Sequence, residues 1–136
     1  MKFSELTEEQ WTENSKYFDT CVLPLTGLSG RENPIATTAA LERLADVIDL
    51  VELPFKGRVV IYPACHYPGD KQTLEGLCKE LKDGEAGFKH VFVVSAAHRK
   101  DLPTEHADLI IMPDPEGNLP TVATVREQVM QRWARK

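Results

Sequence analysis

No stretch of the chain approaches the ~20 consecutive apolar residues that a membrane-spanning helix needs, so membrane insertion is not expected. The opening Met1-Lys2-Phe3-Ser4-Glu5-Leu6 lacks the apolar core of a secretory leader, which makes the cytoplasm the expected compartment. Three cysteines, Cys21, Cys65 and Cys78, make an odd number, and none form a C-x-x-C pair. That argues against a disulfide framework and for reduced thiols. Basic residues are outnumbered: 16 Lys and Arg face 21 Asp and Glu, a net charge of −5. An acidic chain is a poor general partner for nucleic acid or an anionic membrane. The basic residues near the end, Arg126, Arg132, Arg135 and Lys136, are read as cations complementing a helix C-terminus. Also missing are the Gly-Lys-Ser/Thr ending of a phosphate loop, a G-x-G-x-x-G fingerprint, an H-E-x-x-H pair and a G-x-S-x-G elbow.

What is present fits one globular domain spanning residues 1–136. Hydrophobic residues make up 42% and charged residues 27% of the chain. A chain of this size buries roughly 68–70% of its unfolded surface, enough for a core without metal or disulfide. Thr7-Glu8-Glu9-Gln10 has the spacing of a capping box, which predicts a helix from about Glu8 to Tyr17. Asp19 to Leu25 reads as a strand. A loop rich in Gly, Ser and Asn precedes a long helix, about Ile35 to Leu53, whose Leu41, Leu44, Ile48 and Val51 form a 3.6-residue stripe. Lys56 to Tyr62 is the second strand. Asp70 is placed to cap a helix over about Lys71 to Lys82, with Leu74, Leu77, Cys78 and Leu81 on one face.

His90 to Val94 and Asp108 to Met112 complete the strands, and only twelve residues separate Ser95 from Asp108. That is close to the shortest parallel crossover. A final helix runs from about Thr121 to Arg135, with Val122, Val125, Val129 and Trp133 sharing a face. Trp11 and Trp133 are expected to pack the first and last helices on the sheet. This alternation predicts a small three-layer α/β/α domain with a mostly parallel sheet of about four strands. The strand order stays open: both crossovers on one side, or a switch after the first strand.

The chemically capable side chains cluster just after the strands, where ligands bind in open parallel sheets. Cys65 and His66 follow the second strand and offer a nucleophile and base, although neighbours on extended backbone point to opposite sides. Ser95 and His98 follow the third strand. His98, His106 and Asp114 could join Cys65 or His66 around Zn²⁺, yet no recognised ligand spacing is present and no metal site is expected. Arg99 has a planar fork suited to a carboxylate or phosphate. Gly27-Leu28-Ser29-Gly30, with Thr37 near the next helix start and Arg31 as counter-charge, could take an anion. Tyr67 and Asp114 stand in stiff turns, Tyr67-Pro68-Gly69 and Pro113-Asp114-Pro115-Glu116-Gly117.

Met1-Lys2-Phe3 with Trp11, Phe18-Asp19-Thr20, Leu23-Pro24-Leu25-Thr26-Gly27 and Pro63-Ala64-Cys65-His66-Tyr67 together resemble the YpiF-like proteins of spore-forming bacilli, which carry a domain of unknown function. The resemblance covers nearly the whole chain. It implies a cytosolic bacterial protein and transfers no catalytic residue. The Leu23-Pro24-Leu25 run is also similar to the end of the first strand in creatininase-type amidohydrolases. The metal-binding Glu and His that follow in that family have no counterpart in Thr26-Gly27-Leu28-Ser29-Gly30. The expected function is therefore a non-catalytic binding or regulatory domain that meets a small molecule or protein partner through its carboxyl-edge loops. The alternative is a small hydrolase- or transferase-type enzyme with a Cys/His or metal-assisted site. No cofactor is identified.

Overall fold

The computed structural model describes residues 1–135; Lys136, one of the terminal cations noted above, lies outside them. The described residues form α1 (Glu8–Asn14), β1 (Thr20–Leu25), α2 (Pro34–Glu52), β2 (Val59–Ile61), α3 (Lys71–Asp83), β3 (His90–Ser95), β4 (Leu109–Ile111) and α4 (Val122–Ala134). All strand pairs are parallel, in the order β2-β1-β3-β4. The α/β fold expected from the alternation is the fold observed. The open question of strand order is settled: the chain leaves β1 for β2 on one side, then crosses back to β3 on the other.

Helix starts follow their caps. In α1 the Gln10 amide donates to Thr7 Oγ1 and the Thr7 amide to Gln10 Oε1, at 3.1 and 3.0 Å. The helix stops at Asn14, short of Tyr17, because Tyr17 and Phe18 turn back to donate to the Asn14 carbonyl. Asn33 caps α2 by accepting from the Ala36 amide at 2.8 Å, with Pro34 in the first turn, where its missing N–H costs nothing. Asp70 caps α3 by accepting from the Thr73 amide at 2.8 Å.

Alternate residues of the strands feed two cores, one on each face of the sheet. Val22, Val59, Ile61, Phe92, Val94 and Ile111 meet α2 and α4, while Cys21, Leu23, Leu25, Val60, Val91 and Val93 meet α3. This double coverage is why the strands read as continuous apolar runs rather than alternating ones. The α2 stripe is displaced from the expected one: Ala40, Leu44, Val47 and Val51 are buried, and Leu41 is exposed. Val122 is likewise exposed, leaving Val125 and Val129 to anchor α4.

The β3–β4 crossover contains no helix. Leu102 and Ala107 plug it into the α3-side core, and the Glu75 carboxylate on α3 accepts from the Glu105 and His106 amides, each at 3.0 Å. At the opposite end of the sheet, Trp133 Nε1 donates to the buried Thr20 hydroxyl at 2.9 Å, and the Arg58 guanidinium lies 3.9 Å from the indole centroid. Trp11 packs near Phe88 at 6.1 Å. Both tryptophans thus tie the first and last helices to the body of the fold.

The segment before α1 pairs along the outer edge of β2, where the Ile61 amide donates to the Met1 carbonyl at 2.8 Å. There the Glu52 carboxylate, only 4% exposed, faces Lys2 Nζ at 2.8 Å and the Met1 ammonium at 3.2 Å. Burial alone would raise the Glu52 carboxyl, but the hydrogen bonds and charges of Lys2 and the ammonium outweigh it and hold it below its ordinary value. A lowered folded-state carboxyl stabilises above its unfolded value of about 4.3 and loses that contribution as pH falls through the folded one. Glu52→Gln is expected to cost about 1–3 kcal/mol at neutral pH, with the deficit closing below about pH 4. Urea unfolding at several pH values measures it; a deficit independent of pH would contradict the charge-based account.

Candidate functional site

The strand order reverses direction at β1, so the chain leaves the carboxyl ends of β1 and β3 toward opposite faces. In open α/β sheets that divergence is where a ligand crevice forms. A crevice of ≈ 570 Å³ lies there, walled by Gly27–Ser29 after β1, Tyr67–Gly69 beyond β2 and Ala97–Arg99 after β3. A larger hollow of ≈ 740 Å³ lies between the N-terminal segment and α3. Its wall is aromatic and aliphatic with Glu8, Glu80 and Glu85, and it contains no His, Cys, Lys or Arg. The smaller crevice carries the convergent polar groups that mark a binding site.

One wall is built by a ladder that outlasts its strands. Beyond Ile61 the chain stays beside β1: Tyr62 donates to the Val22 carbonyl, Cys65 to the Pro24 carbonyl, and then Thr26 and Leu28 donate to the Cys65 and His66 carbonyls. Pairing slips by one residue between Val22↔Ile61 and Leu25↔Cys65, a bulge on the β2 side. Pro24 lacks an N–H, which normally bars proline from a central strand. Here its carbonyl faces the bulged stretch, so its missing donor falls opposite the interruption rather than the intact β3 ladder.

Cys65 and His66 lie on this ladder and part ways as extended neighbours do. Cys65 packs into the α3-side core with Leu25 and Cys78, and burial pushes its thiol up. His66 is exposed at its edge and shares a hydrogen bond of 2.8 Å between Nδ1 and the buried Thr26 hydroxyl. The two side chains do not meet at one centre. Ser95 is fully buried and spends its hydroxyl on its own turn, donating to the Ala97 carbonyl at 2.7 Å.

His98 and Arg99 do reach the crevice. His98 Nδ1 lies 3.1 Å from the Pro113 carbonyl, and since a carbonyl only accepts, Nδ1 carries a hydrogen and Nε2 is the remaining polar atom. Arg99 is braced by Nη2 on the Gly69 carbonyl at 3.4 Å and by a fork on Asp101, Nε to Oδ1 at 3.2 Å and Nη2 to Oδ2 at 3.1 Å. Its Nη1 is buried and has no hydrogen-bond partner among the described residues. Tyr67 lines the same crevice and is 66% exposed.

Other residues singled out from the sequence stand elsewhere. Thr37 donates to the Asn33 carbonyl inside the first turn of α2. Arg31 is exposed, its amide donating to Ser29 Oγ. Asp114 organises its own turn, accepting from the Glu116 and Asn118 amides at 3.0 and 2.8 Å. His106 stands with Glu75 and Glu105, its Nδ1 3.5 Å from Glu75 Oε1, and apart from His98 and Asp114. The Glu75 carboxylate there already clamps two amides of the crossover.

The loop after β1 also closes on a carboxylate of its own. The Ser29 and Gly30 amides both donate to Glu32 Oε1 at 3.0 Å, and Ser29 Oγ donates to Oε2 at 3.0 Å. Successive amides cupping an oxyanion form an anion-binding nest. The Glu32 carboxyl is held below its ordinary value, first by its own backbone amide and then by the Ser29 amide and hydroxyl and the Gly30 amide. The Ser29-x-x-Glu32 spacing, that of a capping box, was the available signal.

Residues 9–131 match the family described as "Protein of unknown function (DUF2487)". The chain belongs to that family. No curated protein and no solved structure matches it. No helix among the described residues is long and apolar enough to cross a membrane.

With its thiol raised by burial, Cys65 has little thiolate at neutral pH. Iodoacetamide is expected to alkylate it more slowly than a free thiol of pKa about 8.5. Cys21 and Cys78, both buried, are expected to react only after unfolding. Peptide mapping over a time course measures this, and a Cys65 faster than glutathione would restore the nucleophile reading.

Proposed function

We propose that this family member is a non-catalytic binding or regulatory domain whose site is the crevice between the carboxyl ends of β1 and β3. The observation that carries the reading is the convergence there of three separate loops bearing Tyr67, His98 and Arg99 on a crevice of ≈ 570 Å³. A small molecule is the favoured partner, because a concave site of this volume suits one. Nucleic acid is disfavoured by the net charge of −5. The resemblance to YpiF-like proteins supports placing it in the cytoplasm of spore-forming bacteria.

A hydrolase- or transferase-type reading would use His98 Nε2 as a base. It lacks a nucleophile at hand: Ser95 Oγ is committed to Ala97, and Cys65 packs into the α3-side core.

A thermal-shift screen of nucleotides, sugar phosphates, amino acids, sugars and divalent cations tests the proposal. A ligand at 100 times its dissociation constant adds about 2.7 kcal/mol, which for a domain of this size raises the midpoint by roughly 5–10 °C. The shift is expected to fall sharply in Tyr67→Ala and His98→Ala. A shift unchanged in both variants would place the site elsewhere.

A further inference from the structure

The hollow of ≈ 740 Å³ between the N-terminal segment and α3 shares no lining residue with the crevice. Its apolar wall is a run of rings: Phe3 and Trp11 from the N-terminal part of the chain, and Tyr62 just beyond β2. Buried Phe88 links two of them, its ring centroid 6.1 Å from that of Trp11 and 5.2 Å from that of Tyr62, and Phe3 lies 6.4 Å from Tyr62. The lining rings stay partly open to solvent: Phe3 is 46% exposed, and Trp11 and Tyr62 are half-buried. Helix α1 buries none of its residues, so it stands beside the body of the fold without closing the space.

The rim carries charge of one sign. Glu8 and Trp11 are three positions apart on α1, and Glu80 is four positions before Gly84 at the end of α3, so each pair shares a helix face; Glu85 follows. All three carboxylates are exposed, and no Lys, Arg or His lines the hollow. None of the three forms an ion pair among the described residues. The lysines at the end of α3 are engaged elsewhere, Lys79 by Asp83 and Lys82 by Asp108. A cation is drawn both to a carboxylate and to the negative face of an aromatic ring, while the apolar wall rewards a hydrophobic body. The volume falls within the roughly 300–1,000 Å³ of small-molecule sites.

We infer that this hollow is a second binding site, for a small organic cation: an ammonium group on an aryl or alkyl body. The body lies against Phe3, Trp11 and Tyr62, and the ammonium sits at the rim among Glu8, Glu80 and Glu85. The inference is independent of the crevice.

The chain has two tryptophans, which supplies an internal reference. Trp11 lines the hollow, whereas Trp133 Nε1 donates to the Thr20 hydroxyl at 2.9 Å. The test is titration of ¹⁵N-labelled protein, at constant ionic strength, with phenethylammonium, neutral 2-phenylethanol and anionic 3-phenylpropionate. Phenethylammonium is expected to move the Trp11 indole signal saturably while the Trp133 indole and the Tyr67 and His98 amides stay still. The alcohol should bind about tenfold more weakly, and the anion should leave Trp11 unmoved. Glu80→Gln combined with Glu85→Gln should weaken the cation about tenfold, to the level of the alcohol. Glu42→Gln combined with Asp46→Asn removes two exposed charges from α2, outside the hollow, and should match the wild type.

Equal affinity for the cation and the alcohol would overturn the inference. So would a loss in the Glu80/Glu85 variant no greater than in the Glu42/Asp46 variant. Absence of a saturable Trp11 response both to phenethylammonium and to hexyltrimethylammonium would overturn it as well. Movement of the Trp11 signal on dilution of protein alone would show a second copy covering the hollow, and the small-cation reading would fall. None of these outcomes touches the crevice, whose own test turns on Tyr67 and His98.

Discussion

A strand covered on both faces and flanked on both sides must have its backbone groups answered by its neighbours, and β1 meets that demand for six consecutive buried residues. It pairs with β3 along its whole length and with β2 only as far as Val22. The remaining demand on the β2 side is met by an irregular stretch, Tyr62 to His66, recruited into the ladder after β2 itself has ended. The bulge, the tolerated Pro24 and the parting of Cys65 from His66 all follow from satisfying that one buried edge. The crevice is the gap left where the chain beyond β1 must choose between its two neighbours.

The layered fold was legible because burial on both faces leaves a local trace. Apolar runs, capping residues and spacing identified every α-helix and strand, since each depends on residues within a few positions of one another; the short 3-10 turn at Phe3–Glu5 carries no such pattern. The α2 stripe was misplaced because Leu41 and Val47 are equally apolar, and only the position of the sheet decides that Val47 is inside. Leu41 instead stands exposed, a cost that no local pattern announces.

The candidate site was legible in part. Tyr67, His98 and Arg99 converge as strand ends should, and topology alone brings them together. Thr26 with His66, and Ser29 with Glu32, were not singled out. The first pair spans 40 positions and depends on a one-residue slip that sequence does not display. The second hides a capping-box spacing where no helix begins. Asp114, Thr37 and Arg31 have the residue types of a site, yet short polar side chains such as Asp114 and Thr37 most often answer their own backbone, as these two do.

The crevice walls are held before any ligand is present: Leu28 by the His66 carbonyl, His98 by Pro113, and Arg99 by Gly69 and Asp101. Such pre-organisation lowers the ordering cost of binding. Native-state hydrogen exchange tests this claim most directly. The Thr26, Leu28 and Cys65 amides should exchange as slowly as those in the body of β1 and β3, opening only with the sheet. Exchange at those amides as fast as at exposed loop positions such as Gly27 would show that the ladder beyond β2 is not formed and the crevice wall not built in advance.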